Sequence, residues 1–418
     1  MTGSPIDPSK SPALMRGLTQ SRMSRRALLR GAGMGAGAIA LSSLLAACGI
    51  QGTQKAGGST GGAVTDWTKY WADHKKTGTL NFANWPLYID QDDSGKSASL
   101  AAFTKKTGIK VNYKEVIQDN PSFYAKISPL LKGDQSIGYD LMVITNGWEF
   151  TELLNNGWLV QLDQTKIPNF KANADRTVLS PAYDPGAAHS MVWQTGFTGL
   201  AYNEKLTGGP ITSFADLADP KFKGKIGMFS DTSELGNAAL LAVGVEPTNA
   251  TQADFQKARD WLEKVKPNIA KFYDQGYTDA LQNGDIWISQ AWSGDIYQVQ
   301  AGGHEEIKYV TPKEGQMMWH DNMCIPITAE HPVDALTWMD YYYQPDVAGV
   351  IEDYVNYVCP VPAAKDYILN TIKDPDVANS PLVFPSTEEL GQSHEFYVYK
   401  GRSDYDKWQD VFNPIVQS

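Results

Sequence analysis

From residue 79 onward the chain alternates between short segments with strand periodicity and longer segments with helix periodicity. Strands are predicted at residues 79–83, 109–116 and 139–144, with helices between them at 97–107 and 124–131. A β-α-β order of this kind produces largely parallel sheets covered by helices. The sequence therefore predicts an α/β fold.

The same alternation returns in the second half of the chain. Residues 252–265 are a predicted helix that carries Phe255, Ala258, Leu262 and Val265 on one face and stops before Pro267. The other predicted elements are a strand at 225–229 and helices at 65–78, 233–243, 333–343 and 346–354. The roughly 350 residues in this region exceed what one simple core accommodates, which favours two lobes with a cleft between them.

The first 48 residues have the pattern of an export signal. Arg25 and Arg26 precede an apolar run at 31–47 that contains four glycines and leads to Cys48. Seventeen residues with this composition are too short for a spanning helix, which needs about 20 apolar residues. We therefore predict a twin-arginine lipoprotein signal whose Cys48 becomes the lipidated N-terminus, followed by a glycine-rich flexible tether.

The charge of the chain argues against a nucleic-acid partner. The whole sequence carries a net charge of −11, and residues 1–47 contribute one acid and six bases. Removal of that segment leaves −16, a field that repels nucleic acid and attracts cations. Solubility of an exported protein is an equally good explanation of this charge.

Two cysteines remain once Cys48 is assigned to the lipid. Cys324 and Cys359 could form a disulfide in an oxidising compartment, or they could be two buried free thiols. Spacing along the chain does not decide between these alternatives, because a disulfide requires the two side chains to meet in space.

The part of the sequence with strand and helix periodicity contains none of the common catalytic or phosphate-binding motifs. G-x-S-x-G occurs only at 57–61, inside the glycine-rich tether and not at a strand-to-helix turn, and H-E-x-x-H, G-x-x-x-x-G-K-[ST] and C-x-x-C are absent. The segment at 90–95 begins like a calcium-binding loop, but Ala101 stands where that loop has its bidentate Glu, which favours a polar turn. We therefore expect no enzyme activity, no cofactor and no metal.

Four segments place an aromatic residue or a carboxylate at a predicted turn. They are NWPLY at 84–88, DTSE at 231–234, AWSG at 291–294 and MWHD at 318–321. Taken singly, each has a structural explanation, because Trp is usually well buried and Asp is a favoured helix cap. Their joint occurrence in one order is more informative.

In that order, the chain resembles the bacterial spermidine/putrescine-binding proteins of ABC importers, from about residue 80 to about 357 and less clearly to 399. The segments that carry the resemblance are LNFANW at 80–85, FTKKTGIKV at 103–111, YDLMV at 139–143, FADL at 214–217, KGK at 223–225, Asp231-x-x-Glu234, WSG at 292–294, Trp319-x-Asp321 and PDVA at 345–348. The combination of the Asp231 and Trp319 motifs is the most specific.

The resemblance implies a type II periplasmic-binding-protein fold whose lobes close over the ligand. The ligand-binding residues that it implies are Trp85, Tyr88, Thr145, Trp148, Asp231, Glu234, Trp292, Trp319, Asp321 and Tyr357. This chain departs from the better-known members at Pro86 and Leu87, where they have a hydroxyl residue and an acid, and at Gly147, where a Tyr is common. These differences bear on which amine is bound.

The export signal and the resemblance together predict how the chain is divided and where it acts. The predicted divisions are a signal peptide at 1–47, a tether at 48–64, a first lobe at 65–193 with 326–418, and a second lobe at 194–325, with hinge strands near 193–198 and 323–326. We expect a monomer held by lipid at the outer face of the cytoplasmic membrane, which delivers a polyamine to an ABC permease. Two alternatives stay open: a protein of the same fold for a sugar, quaternary amine or metal, and an exported lipoprotein enzyme.

Overall fold

The computed structural model describes residues 64, 66–92, 94–273 and 275–417. The predicted signal peptide, the lipidated Cys48 and the tether up to residue 63 lie outside the described residues. Within the described part, no helix is both long and apolar enough to cross a bilayer.

The described residues form ten strands and sixteen α-helices. The strands are β1 (Thr79–Asn84), β2 (Lys110–Glu115), β3 (Leu141–Thr145), β4 (Ser190–Asn203), β5 (Ile226–Phe229), β6 (Ile269–Tyr273), β7 (Ile288–Trp292), β8 (Ile307–Val310), β9 (Gln316–Cys324) and β10 (Ser393–Glu395). The helices are α1 (Trp67–Asp73), α2 (Ala98–Thr107), α3 (Asn120–Lys132), α4 (Trp148–Asn155), α5 (Pro168–Asn173), α6 (Glu204–Thr207), α7 (Thr232–Ala242), α8 (Gln252–Val265), α9 (Tyr277–Asn283), α10 (Ser293–Ala301), α11 (Pro332–Tyr342), α12 (Pro345–Val355), α13 (Ala364–Tyr367), α14 (Pro375–Ala378), α15 (Thr387–Gly391) and α16 (Arg402–Gln417). Short 3₁₀ turns occur at Arg176–Val178, Phe214–Ala218, Pro220–Phe222, Pro247–Asn249 and Lys266–Asn268, and a π turn at Ile368–Ile372.

Local signals set the ends of several helices. The Ser97 side chain accepts a hydrogen bond from the backbone N–H of Leu100 at the start of α2, and Gly108 ends that helix with a left-handed φ of 76°. Helix α8 spans the predicted residues and buries its predicted apolar face. The predictions for α2 and α8 are therefore confirmed.

The first helix is shorter than the predicted 65–78. It begins after Asp66, whose side chain accepts from a backbone N–H in the first turn, and it ends at Asp73. Beyond it the chain is extended, because the backbone N–H of Thr77 donates to the Asp334 carboxylate at 2.8 Å. A contact with a residue far along the chain thus ends the helix before the predicted Gly78.

One sheet runs through the whole molecule in the order β2-β1-β3-β9-β4-β7-β5-β6, with β10 beside β9 and β8 beside β4. Strands β2, β1 and β3 are parallel, as are β7, β5 and β6. The centre is antiparallel, because the long strands β9 and β4 pair with each other and with β3 and β7. The largely parallel prediction holds for the two ends of the sheet and fails at its centre.

Two hydrophobic cores lie on either side of this antiparallel centre. One is built around β1 to β3 with α2, α11 and α12, and the other around β5 and β7 with α7 and α8. Strand β4 contributes Trp193 to the first core and Leu200 to the second, and β9 contributes Met323 to the first and Met317 to the second. Two α/β lobes joined by crossing strands are the predicted architecture, and the strands β4 and β9 contain the predicted hinge at 193–198 and the first part of the one at 323–326.

The C-terminal helix α16 packs with the second lobe. Its buried residues Trp408, Phe412 and Ile415 belong to the second core, and the Trp408 ring lies 5.1 Å from that of Phe255 in α8. The sequence-based boundary placed residues up to 418 in the first lobe. We propose that the C-terminal segment belongs with the second lobe instead, because the apolar stripe of α16 is covered there.

The two remaining cysteines are buried free thiols. The Cys324 Sγ is 3.5 Å from the carbonyl oxygen of Asn322, and the Cys359 Sγ is 3.4 Å from that of Val361. Cys324 lies in a core cluster around β3 and α3, whereas Cys359 lies in the first core. Of the two alternatives, the structure therefore has separate thiols and not the disulfide.

Candidate functional site

Asp321 lies on β9 at the junction of the two lobes. Its carboxylate accepts a hydrogen bond from the Thr145 hydroxyl at 2.6 Å and another from the Tyr88 hydroxyl at 2.6 Å. The side chain is buried, and this burial raises its pKa to about 6, although both hydrogen bonds favour the ionised form. Three predicted site residues, far apart in sequence, thus meet around one carboxylate.

Glu234 forms a second buried carboxylate, in the first turn of α7. Its Oε1 accepts from the Trp292 indole N–H at 2.8 Å and from the Thr198 hydroxyl at 3.2 Å. Its Oε2 is buried without a hydrogen-bond partner among the described residues. Burial raises the pKa of Glu234 to about 8, and the negative charge of Asp231 adds to the effect.

An aromatic wall connects the two carboxylates. The Tyr357 ring lies 5.9 Å from that of Tyr88 and 5.5 Å from that of Trp319, both edge to face. Trp319 is buried, and its indole N–H has no partner within the described part of the chain. The aromatic wall therefore consists of apolar rings and contains one hydrogen-bond donor, the Trp319 indole N–H, that has no partner among the described residues.

Two glycines allow these rings to lie against the backbone. A Cβ on Gly196 would overlap the Trp319 ring, and a Cβ on Gly294 would come 2.7 Å from the Tyr357 ring. Gly196 faces Trp319 in the β4–β9 register, and Gly294 is the second residue of α10, two positions after Trp292. At these positions glycine is required for close approach.

The sheet register orders the site along one face. Met317, Trp319 and Asp321 alternate onto the same side of β9, and Met317 lies in the same row as Thr198 and Trp292. Asp321 is four residues along β9 from Met317, so at about 3.3 Å per residue it lies about 13 Å along the strand from the level of Met317, Thr198 and Trp292. The two carboxylates therefore mark opposite ends of an aromatic-lined strip.

Three predicted residues have other contacts in the structure. Asp231 is exposed and caps α7, with its carboxylate accepting from the Ser233 N–H at 2.7 Å. The Trp148 ring stacks on that of Tyr405 at 4.3 Å, and the Trp85 indole N–H donates to the Val143 carbonyl at 3.1 Å. Asp231 still lies close enough for its charge to raise the pKa of Glu234.

Sequence reasoning missed three residues that support Trp292. Phe229 stacks on its ring at 4.4 Å, the Tyr277 hydroxyl accepts from its backbone N–H at 3.1 Å, and Thr198 shares its partner Glu234. Strand periodicity placed Phe229 at a strand end, but no local signal pairs it with Trp292. Only the neighbouring positions of β5, β7 and β4 in the sheet do so.

The described residues of the calcium-like segment at 90–95 make the hydrogen bonds of a polar turn. Asp90 accepts from the backbone N–H of Ser99 at 3.0 Å, and Asp92 accepts from the backbone N–H of Ser94 at 2.8 Å. Among the described residues, no group of three or more His, Cys, Asp or Glu side chains is arranged to hold a metal ion. The two carboxylates therefore act in turn and helix-start hydrogen bonding.

Comparison with known proteins gives a family and several relatives. A family model described as bacterial extracellular solute-binding protein matches residues 139–389. The spermidine/putrescine-binding periplasmic protein of Escherichia coli is 29% identical over 313 residues, which are 75% of this chain and 84% of that protein. The putrescine-binding periplasmic protein SpuD of Pseudomonas aeruginosa is 30% identical over 342 residues, which are 78% of this chain and 88% of that protein.

A solved structure is similar in fold. The spermidine/putrescine ABC transporter substrate-binding protein PotD of Streptococcus pneumoniae superimposes with a TM-score of 0.69 at 24% identity. The match covers 82% of this chain and 99% of that one. It extends over both lobes and supports the two-lobe architecture described above.

Proposed function

The chain belongs to the bacterial extracellular solute-binding proteins, and from this membership we propose that it binds a small linear polyamine between its lobes and delivers it to an ABC permease. The matched relatives are named for spermidine and putrescine. The ligand class proposed for this chain is the same. The family is one of solute-binding proteins, which agrees with the expectation of a binder.

One observation carries the proposal: two buried carboxylates lie at the ends of an aromatic strip. Asp321 and Glu234 are both buried, and the Oε2 of Glu234 lacks a partner among the described residues. Taking an ammonium out of water costs several kcal/mol, so each buried amine requires a carboxylate close by. A cation at each end of a linear ligand fits this arrangement.

The strip between the carboxylates suits the methylene groups of such a ligand. Each buried methylene contributes about 0.8 kcal/mol, and a cation against an indole face contributes roughly 0.5–2 kcal/mol. Trp319, Tyr357 and Trp292 provide the rings. A dissociation constant of about 1 μM requires only about −8 kcal/mol, so these contributions suffice after the cost of ordering the ligand.

We further propose that the chain is an exported lipoprotein. The twin-arginine signal and Cys48 support a lipid anchor, and the matched relatives are named as periplasmic proteins. A twin-arginine signal exports a folded chain. Mass spectrometry of the mature protein should therefore find an N-terminal diacylated Cys48, and a free N-terminus elsewhere would contradict the anchor.

Isothermal titration calorimetry tests the ligand class. We expect putrescine and spermidine to bind and glucose not to bind. Asp321→Asn and Glu234→Gln should each weaken polyamine binding by about 2–5 kcal/mol, because each removes the partner of a buried charge. Asp260→Asn, an exposed change of equal charge, serves as the control. Sugar binding without amine binding would reject the proposal.

A second ligand class is favoured by the unused indole N–H of Trp319. A protonated amine offers no acceptor to this donor, whereas an ω-amino acid carries a carboxylate in addition to its ammonium. Including 4-aminobutyrate in the same titrations separates the two. Binding of 4-aminobutyrate that is tighter than that of putrescine, and that weakens in Trp319→Phe, would favour the amino acid.

A further inference from the structure

Helix α4 belongs to the first lobe by its packing but begins in the second. Phe150 and Leu153 are buried in a first-lobe cluster with Phe123 and Ile144. Trp148, the first residue of the same helix, is buried in the core cluster of the second lobe. The start of α4 therefore spans the boundary between the lobes.

Trp148 packs against the C-terminal helix. The Trp148 ring is parallel to that of Tyr405 within 13°, at a centroid distance of 4.3 Å, and lies edge to face with the Tyr399 ring at 6.0 Å. Helix α16 is fixed to the second lobe through Trp408 and Phe412. The stacked pair thus joins one residue from each lobe.

Charged groups surround this contact. The guanidinium of Arg402 lies 5.8 Å from the centroid of Trp148 and 5.5 Å from that of Tyr405. Glu149, next to Trp148, is half-buried, and its pKa is raised to about 7, mainly by burial and to a smaller extent by the negative charge of Asp231 in the second lobe. Glu149 and Asp231 therefore repel across the boundary when both are ionised. The Arg402 guanidinium donates to Asp406 at 2.7 Å and adds a cation over the Trp148 and Tyr405 rings.

The contact is also connected to the proposed ligand site. The Tyr399 hydroxyl is 3.3 Å from the Ser233 hydroxyl, and Ser233 precedes Glu234 in the first turn of α7. A movement of Tyr399 relative to α7 would therefore pull on Ser233 and displace the neighbouring Glu234 carboxylate, which bonds to Trp292.

We propose that Tyr405 and Arg402 are positioning residues that hold the two lobes closed by clasping Trp148, and so set how long a bound ligand is retained. The inference goes beyond the proposed function and depends on it only for the ligand-release measurement. It also gives Trp148 a role as a closure contact. Helix α16 then contributes directly to the contact that keeps the two lobes closed.

Stopped-flow release of putrescine or spermidine from the full chain tests the clasp. Tyr405→Ala and Arg402→Ala should each raise the dissociation rate about threefold to tenfold, with little change in the association rate. Tyr405→Phe keeps the stacked ring and should release ligand at the original rate. Lys407→Ala removes an exposed cation from the same helix and is the matched control for Arg402→Ala.

Hydrogen–deuterium exchange without ligand provides a readout that a purely structural role would not give. The clasp predicts faster exchange at residues 148–155 in Tyr405→Ala, with exchange at 232–242 and 252–265 unchanged. Faster exchange confined to α16 and its second-lobe neighbours, or an unchanged dissociation rate, would overturn the clasp. If no polyamine binds, the proposed function fails, and the exchange at 148–155 alone decides the clasp.

Discussion

At the scale of single residues, the site depends on positions that have no side chain. Gly294 lies so close to Tyr357 that a Cβ there would come 2.7 Å from the ring. Tyr357 in turn contacts both Tyr88 and Trp319. A methyl group at residue 294 would therefore displace the wall that links the two carboxylates.

We expect Gly294→Ala to weaken polyamine binding by about tenfold and to cost about 1–3 kcal/mol of stability through overpacking. Titration calorimetry and thermal unfolding measure the two effects. Gly209→Ala is the matched control, since its Cβ would have no neighbour within 4 Å and its φ is not positive. Equal affinity and equal unfolding temperature of the two variants would show that the Tyr357 ring moves aside without weakening binding or stability.

Proton release on binding follows from the buried carboxylates. The pKa of Glu234 is about 8 and that of Asp321 about 6, both raised by burial, so Glu234 is mostly protonated at pH 7. A cationic ligand favours the ionised forms and expels the proton. We therefore expect affinity to rise with pH from about 6 to 8, and calorimetry in buffers of different ionisation enthalpy to detect the proton. Glu234→Gln should remove most of this pH dependence. An affinity of the unsubstituted protein that does not change between pH 6 and 8 would contradict proton release on binding.

At the scale of elements, the carboxylate of Asp231 acts as the N-cap of helix α7. Asp231 caps this helix through the backbone N–H groups of Ser233 and Glu234, at 2.7 and 3.3 Å. Asn caps a helix about as well as Asp, whereas Ala does not. Substitutions at residue 231 therefore separate the cap from the charge.

Asp231→Ala should lower the free energy of unfolding by about 0.5–2 kcal/mol, and Asp231→Asn by much less. Because Asp231 is exposed, we expect Asp231→Asn to weaken polyamine binding less than Asp321→Asn does. Denaturant unfolding and calorimetry provide the two measurements. A larger binding loss for Asp231→Asn than for Asp321→Asn would place the ligand charge beside α7 and away from β9.

At the scale of the whole molecule, the buried acids set how stability depends on pH. Burial raises the pKa of Glu234 to about 8, those of Glu149 and Asp353 to about 7, and that of Asp321 to about 6. These four carboxyls then hold more protons in the folded chain than in the unfolded chain between about pH 4 and pH 8. Their contribution to stability is fully present below that window and is lost as pH rises through it.

We therefore expect the ligand-free protein to unfold at a lower temperature at pH 8 than at pH 5.5. Scanning calorimetry across this range measures the change, and Glu234→Gln should flatten its upper part because the amide does not ionise. A bound polyamine should offset the loss at pH 8, since it stabilises the ionised carboxylates. A midpoint that rises steadily from pH 5.5 to 8 would contradict the burial of these acids.

The sequence by itself determined the features that depend on near neighbours along the chain. The apolar stripe of α8, the Ser97 cap and Gly108 stop of α2, and the alternation of strands and helices are set by backbone hydrogen bonds and side-chain periodicity within a few residues. The family resemblance added the identity of the carboxylates and aromatics of the candidate site. Those predictions needed no knowledge of which strands are neighbours.

The tertiary structure alone decided which of these residues meet. Asp321 bonds to Tyr88, 233 positions away, and to Thr145, 176 positions away, and Glu234 bonds to Trp292, 58 positions away. The antiparallel centre of the sheet, the separation of the two thiols and the place of α16 were likewise decided at this level. The physical reason is that strand register and the burial of an apolar face depend on packing between distant segments, which no local pattern encodes.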